Sequence, residues 1–459
     1  MSRTLPSTAV ASFREAFGGE VVLPGDEGYD QARVVWNAAV DRYPAIVVRP
    51  TGVDDVAAAV RFGREQDLVI AVRCGGHSMG GVSTCDDGIV IDLSKMRAVK
   101  VDPEARTATV LGGSLLGELD REAQRFGLAC PVGVVSHTGV GGLTLGGGMG
   151  RLQRKHGFSV DNMRAVELLT ADGRQVRASE EENADLFWGI RGAGPNFGIV
   201  TSFEFGLHPI GPDVVQGWTA YPIDRARELA ARFSEFVTSA PDDVFASFAV
   251  AMAGADDPWA ELAGRPVVIL GGAHVGSPKD AERDLRPLRD GRAVHDSIEP
   301  KTYLDMQGAT DEAFAWGKRA YMKGGFLDGL SDGFLDVVLD HMSRAPGNVN
   351  VGLWAQGGAT ARVPEDAMAF TGRSAAFWVG VEAEWTEADR DDEFVSWSRA
   401  AWEDLRPFTT AGTYVNDMIE SSEALVRAAY GDAKYERLVG LKRAWDPDNV
   451  FRLNQNVKP

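Results

Sequence analysis

Cysteine is nearly missing from this chain, and what the sequence lacks removes whole classes of function. Cys74, Cys85 and Cys130 are the only three in 459 residues. An odd number without a CxxC pair supports neither a disulfide framework nor a thiolate zinc site, and free buried thiols are expected instead. HExxH does not occur and the seven histidines are scattered, so no metal is expected. Positive charge is short as well. With 47 Lys plus Arg against 66 Asp plus Glu, the net charge of -19 repels phosphate backbones and anionic lipid. That argues against nucleic-acid or membrane partners and for a neutral or cationic small-molecule substrate. No stretch approaches the ~18 apolar residues of a membrane span, and the N-terminal MSRTLPSTAVASFREAFGG has no apolar core of signal-peptide length. A cytoplasmic protein is therefore expected. The 44% of hydrophobic residues can fill two cores, and the length favours two domains. The sequence leaves the oligomeric state open.

Glycine, by contrast, is concentrated. The stretch Val72 to Gly81, VRCGGHSMGG, sets one histidine among glycines after an apolar run that reads as a strand. Gly75 and Gly76 can take positive φ and let a flat or anionic ligand lie against bare peptide groups. Upstream, AIVVRP, TGVDDVAAAVRFGREQ and LVIAVR read as a strand, a helix opened by Thr51 with a capping box to Asp54, and a second strand. GIVIDLS follows as a buried strand, and SLLGELDREAQRFG as a scaffold helix through Leu115, Leu119 and Ala123. From Gly133 to Gly150, GVVSHTGVGGLTLGGGMG, eight of eighteen residues are glycine, a density unsuited to a helix or strand interior. The dinucleotide spacing GxGxxG fails from Gly139, Gly146, Gly148 and Gly192, at Thr144, Arg151, Gln153 and Phe197, and no Walker A sequence occurs. A third loop, RGAGPNFGIVTSFEF, runs from Arg191 into an alternating strand. Three such loops suggest one long ligand.

These three loops, with GTYVND from Gly412 and AWDPDNVFRLNQNVKP from Ala444, resemble the berberine-bridge-enzyme-like FAD oxidases of the vanillyl-alcohol-oxidase superfamily over nearly the whole chain. The resemblance implies an α+β fold: a PCMH-type FAD-binding domain from residues 1–207 and 408–459, and a substrate domain from 208–407 with an antiparallel β-sheet backed by helices. It implies covalent FAD, linked from His77 to the flavin 8α methyl. Many relatives add a cysteine bond to flavin C6, and that position here is Val135. Cys130 lies five residues earlier, so a single bond is expected. FAD would then lie along Arg73, Cys74, Gly75, Gly76, His77, Ser78 and Gly81 of the first loop. In the second it would meet Gly133, Val135, Thr138, Gly139, Gly141, Gly142, Leu145, Gly146, Gly148 and Gly150. Gly198, Ile199 and Val200 of the third loop follow, and Tyr414, Asn416 and Asn454 of the returning end.

After Pro209 amphipathic helices such as RELAARFSEFVTSA alternate with strands such as RPVVILGGAHVG and AAFWVGVEAEW. Trp354, Phe377, Val379, Val381 and Trp385 alternate as one face of a sheet would, and Glu382 and Glu384 fall on the other. Helix DRDDEFVSWSRAAWEDLR presents Phe394, Trp397, Ala401, Trp402 and Leu405 as packing residues. For the catalytic base, Tyr414 is the first candidate, Asp417 the second as a carboxylate where relatives carry phenylalanine, and Tyr321 the third. The resulting reading is an oxidase that moves a hydride from a small alcohol, sugar or amine to FAD and on to O2, giving H2O2. A flavin dehydrogenase or tailoring oxygenase is the alternative. A non-enzymatic flavin binder fits less well, since storage needs neither a covalent bond nor a substrate sheet.

Overall fold

The computed structural model describes residues 4–410 and 412–459, so residues 1–3 and Ala411 of the expected first domain lie outside the described residues. Its first sheet runs Glu20–Val22, Ile46–Arg49, Ile89–Asp92, Ile70–Arg73. The last three strands are mutually parallel and the first is antiparallel. These strands read as continuous apolar runs because both faces are covered. Ile46, Val48, Ile70 and Ile89 pack with the helix Val53–Glu65, and Val47, Ala71 and Val90 pack with Tyr29, Ala32 and Cys85. The two strands flanking that helix are not neighbours, since Ile89–Asp92 inserts between them. The helix also starts one turn position later than the capping box implied. Gly52 is its N-cap, and Asp55, not Asp54, accepts from Thr51 N and Oγ1 at 2.8 Å each.

A second, antiparallel sheet runs Val99–Asp102, Thr107–Leu111, Ile199–Gly206, Met163–Leu169, Gln175–Ser179. The glycine-rich stretch lies between these sheets and contains a short helix, Val140–Leu145, contrary to the expectation that glycine at this density forbids one. Gly141 and Gly142 are tolerated in it because the surrounding loops, rather than propensity, fix its backbone. Gly75 and Gly139 show how tightly they do so: a Cβ on Gly75 would lie 2.2 Å from Gly139 N, and one on Gly139 2.3 Å from Gly75 N.

The third sheet has eight strands, and its six long ones run Asp213–Pro222, Pro266–His274, Val244–Met252, Val349–Ala355, Phe377–Trp385, Arg319–Leu327. Short pieces His295–Asp296 and Glu299–Thr302 pair with the outer side of the first. Period-two alternation divides its faces. Val349, Val351, Leu353, Phe377, Val379 and Val381 form one core with helices Ala226–Ser239, Asp332–Met342 and Asp391–Leu405. In it Phe394 stacks on Trp385 at 4.9 Å and 4°. The opposite face looks toward the glycine loops. Trp354 is on that opposite face, not with Phe377 as read from the sequence, because the ladder pairs it with Trp378. Asn37 docks the sheet on the first half of the chain, giving Nδ2 to Ala320 O at 2.9 Å and accepting Ala320 N at 3.0 Å.

After helix Asp391–Leu405 the chain returns to the glycine loops through helices Glu423–Tyr430 and Asp432–Trp445. Its tail is seated on the third loop: Asn454 Nδ2 donates to Pro195 O at 2.8 Å and Val457 N to Asn196 Oδ1 at 2.9 Å. Lys442, fully buried, holds this turn by donating to Asn196 O, Asp446 Oδ2 and Phe451 O at 2.7, 2.7 and 2.9 Å. No described helix is long and apolar enough to cross a membrane.

Candidate active site

Two cavities meet at His77, Thr138, Leu143 and Asn416, which line both. The first, about 1200 Å³ counting its open mouth, is built by all three glycine loops and the returning tail. Cys74, Gly75, Gly76, Ser78, Gly139, Gly141, Gly142, Leu145, Gly198, Ile199, Val200 and Asn454 line it as expected, together with Ser83, Phe451 and Gln455. No atom lies within 4 Å of where a Cβ on Gly142 would sit, so this wall is bare backbone. Ser83 Oγ and Asn454 Oδ1 are buried in it without a partner among the described residues. A long, polar ligand with hydroxyl and phosphate groups suits such a groove, and these residues fit FAD.

Arg73, Gly81, Gly146, Gly148 and Gly150 are one layer behind. Arg73 is buried and donates to Asp92 Oδ2, Ala32 O and Val34 O at 2.7, 2.6 and 3.1 Å, which braces the loop. Gly81 faces Val40, Gly148 faces Ser159, and Gly150 lies against Val132 O. Gly146 lies under the Asn416 amide, where a Cβ would come within 2.1 Å of Oδ1.

His77 stands at the junction with Trp36 stacked on it at 5.0 Å. Its Nε2 is 2.7 Å from His137 Nδ1. Burial, helped by His137, pushes the His77 imidazole down to about 3, so it stays neutral and one of its ring nitrogens carries no proton. Cys130 is fully buried, lines neither cavity, and burial raises its thiol well above the ordinary range. Val135 and Gly133 line the second cavity. The sequence reading passed over His137 and Trp36, which only the tertiary fold brings to His77. The SHTG run around His137 was the available signal.

The second cavity, about 1460 Å³ counting its mouth, lies between the glycine loops and the open face of the large sheet. Its walls include Trp218, Trp354, Trp378 and Phe245, with Tyr414, Asp417 and Glu382 among them. Asp417 reaches the sheet because Gly324 leaves room, a Cβ there falling 2.6 Å from Oδ2. Trp378 Nε1 donates to the same oxygen at 2.7 Å. Burial, opposed by that bond and reinforced by Glu382, pushes Asp417 up to about 8. Glu382 accepts from Asn350 Nδ2 at 3.1 Å and is also raised by burial. Glu384 is raised to about 7 by burial, with Lys318 Nζ at 3.5 Å opposing.

Tyr414 presents its oxygen to three donors: Gly148 N at 3.0 Å, Met149 N at 3.4 Å and Asn416 Nδ2 at 2.8 Å. Burial and then Asp417 nonetheless push the phenol up to about 12. Tyr321 is not brought to either cavity. Its ladder partner is Ala383, on the helix-covered face, and its hydroxyl meets Arg399 Nε at 3.0 Å and Glu420 Oε1 at 3.3 Å. Its neighbour Met322 takes the cavity side.

Comparison with known proteins agrees with this geometry. The family described as FAD binding domain matches residues 44–179, and the family described as berberine and berberine like matches 413–458. The chain is 31% identical to an FAD-linked oxidoreductase of Dictyostelium discoideum, covering 98% of this chain and 97% of that one. It is 32% identical to the (R)-6-hydroxynicotine oxidase of Paenarthrobacter nicotinovorans, over 96% and 97%. The crystal structure of 6-hydroxy-D-nicotine oxidase from Arthrobacter nicotinovorans superposes with a TM-score of 0.87 at 30% identity, over 96% of this chain and 98% of that one.

Proposed function

From the premise that the chain belongs to the berberine-bridge-enzyme-like FAD-linked oxidoreductases, we propose that it is an oxidase of small amines carrying FAD on one covalent bond. Residues 1–207 and 408–459 hold the cofactor in this reading, and 208–407 supply the substrate wall. Bound FAD would take hydride from the substrate carbon and pass the electrons to O2 as H2O2, the same acceptor serving when the 8α carbon is bonded to His77. The observation that carries the reading is His77 at the junction of the two cavities, neutral and 2.7 Å from His137. A neutral imidazole is the nucleophile such a bond needs, and His137 is within reach of its proton. Val135 in place of a cysteine and the seclusion of Cys130 support a single link.

The carboxylates favour an amine over a sugar or alcohol. Asp417 and Glu382 line one cavity with Trp354 and Trp378, a setting in which an ammonium would draw these raised carboxyls back to their charged form while meeting the ring faces. The relative named for 6-hydroxynicotine oxidation agrees with that choice. Asp417, pushed up to about 8, suits the task of taking the substrate proton better than Tyr414, pushed up to about 12, whose oxygen already accepts three hydrogen bonds. Tyr414 and Asn416 then tie the tail to the second glycine loop. A peroxide-coupled screen of secondary and tertiary amines against sugars and aromatic alcohols tests the reading. Amine-dependent peroxide from a protein that stays yellow after acid precipitation is expected, and peroxide from sugars alone overturns the substrate class.

A further inference from the structure

The second cavity holds one charged group that the oxidation of an amine does not use. Arg151 lines it and is 6% exposed, yet its guanidinium forms no ion pair among the described residues. It reaches only Val134 O at 3.4 Å and Thr310 Oγ1 at 3.5 Å, the outer edge of hydrogen bonding. Asp311 and Asp120 act on it without contact. Both are engaged elsewhere, Asp311 by Ser136 N and Oγ at 2.7 and 2.5 Å, Asp120 by Tyr303 and Gln307 at 3.2 and 3.4 Å. Burial pushes the guanidinium down to about 10, which leaves it a cation at neutral pH. A buried cation is costly unless an anion meets it.

A second polar group is left over at the same end. Gln216 is 2% exposed, lines the cavity, and its Oε1 finds no partner among the described residues. The ladder pairs Gln216 with Ala273, and Ala273 packs with Phe245 and with Leu152, the residue after Arg151. Trp218, two residues along the same strand face, and Phe245, the ladder partner of Ala273, also line the cavity here. The carboxylates are remote from it. Gln216 and Glu382 lie on strands four steps apart in the sheet, ~19 Å across it, and neither Glu382 nor Asp417 is among the charges that act on Arg151.

We propose that this end of the cavity is a subsite for an anionic oxygen group of the substrate, a carboxylate or a phenolate, held by Arg151 beside the Gln216 amide on an aromatic body enclosed by the flanking rings. The amide serves either group by turning its NH2 inward, since a carboxylate and a phenolate both only accept hydrogen bonds. The inference rests on reading this cavity as the substrate cavity of a flavin oxidase, but not on the substrate being an amine.

Benzoate and benzamide are near-isosteric probes: benzamide carries no charge and has an NH2 where benzoate has a second carboxylate oxygen. Their dissociation constants for the holoenzyme can be read from perturbation of the flavin absorbance. Benzoate should bind about tenfold or more tightly than benzamide, the scale of one charge-assisted hydrogen-bonded contact. Arg151→Met should erase the difference and Arg151→Lys should keep part of it. Should Arg151→Met fail to fold, Gln216→Leu, expected to weaken benzoate more than benzamide, and Arg151→Lys carry the test. Equal binding of the two probes, no perturbation by millimolar benzoate, or a preference that survives in Arg151→Met overturns the proposal. So does an Arg151→Met enzyme whose flavin potential shifts while the preference stays, which would assign the guanidinium to the cofactor. Failure of amines to reduce the flavin sinks only the amine reading and leaves the benzoate titration intact.

Discussion

His77 Nε2 and His137 Nδ1 lie 2.7 Å apart in a half-buried pair, so one imidazole must give its proton to the other's lone pair. His77→Ala should therefore release all flavin into the supernatant on acid precipitation. His137→Leu should retain FAD but attach it about tenfold or more slowly, the effect of losing a positioned proton acceptor. Cys130→Ala should leave attachment unchanged. The fraction of flavin that stays with the precipitated chain, followed over time after adding FAD to apoprotein, decides all three. Attachment at the wild-type rate in His137→Leu removes His137 from the proton path.

Among the acidic and phenolic groups of the second cavity, Asp417→Asn should slow anaerobic flavin reduction by an amine about 10²- to 10⁴-fold. Tyr414→Phe should cost less than about tenfold, and Tyr321→Phe should be close to wild type because its hydroxyl faces Arg399 and Glu420. The reduction rate in the wild type should climb as pH rises through about 8, where Asp417 ionises, and Asp417→Asn should lose that climb. A Tyr414→Phe enzyme slower than Asp417→Asn transfers the role to the phenol.

Burial of Asp417 has a thermodynamic signature separate from catalysis. Its folded pKa, about 8, lies above the ordinary carboxylate value, so the folded protein binds the extra proton between those limits. The stability this gives is complete at low pH and is lost as pH rises through about 8. Asparagine is neutral throughout, so Asp417→Asn should gain in melting temperature relative to wild type as pH rises from about 4 to 8. Melting curves of both proteins across that interval check it. A difference that is flat or shrinks toward pH 8 means the carboxyl is not buried as a neutral acid.

Deleting the last dozen residues removes Asn454 from the first cavity and Phe451 O from Lys442, whose ammonium then lacks one of three acceptors. Flavin retention should be lost. Lys442→Met, which keeps the tail but leaves the Asp446 carboxylate buried without its cation, should lower the melting temperature and weaken flavin retention in parallel. A truncated chain that stays yellow and folded contradicts the role given to the tail.

The sequence showed those parts of the molecule that rest on local signals. The three glycine loops, the helix between the first parallel strands, and the alternation of Phe377 to Trp385 were all visible in residue order. What it hid depends on pairing register and long-range approach. Trp354 faces the cavity because the ladder sets it opposite Trp378, and Tyr321 faces the helices because it pairs with Ala383. Neither face can be assigned until the partner strand is known. Trp36 stood outside the motifs, and Arg151 was noted only as the residue that breaks a GxGxxG spacing; both reach the site through the fold. The density of glycine was legible, but its reason was mixed. Gly142 bares backbone to the cavity, whereas Gly75 and Gly139 are small so that two loops can touch.

The first cavity takes its walls from Ile70 at one extreme and Gln455 at the other, with the large sheet's strands in between in the chain. A ribosome must therefore release residue 455 before the groove can close. On the proposed reading, a nascent or misfolded chain presents His77 but no complete groove around it, so flavin that stays with the chain after acid precipitation would report a finished fold.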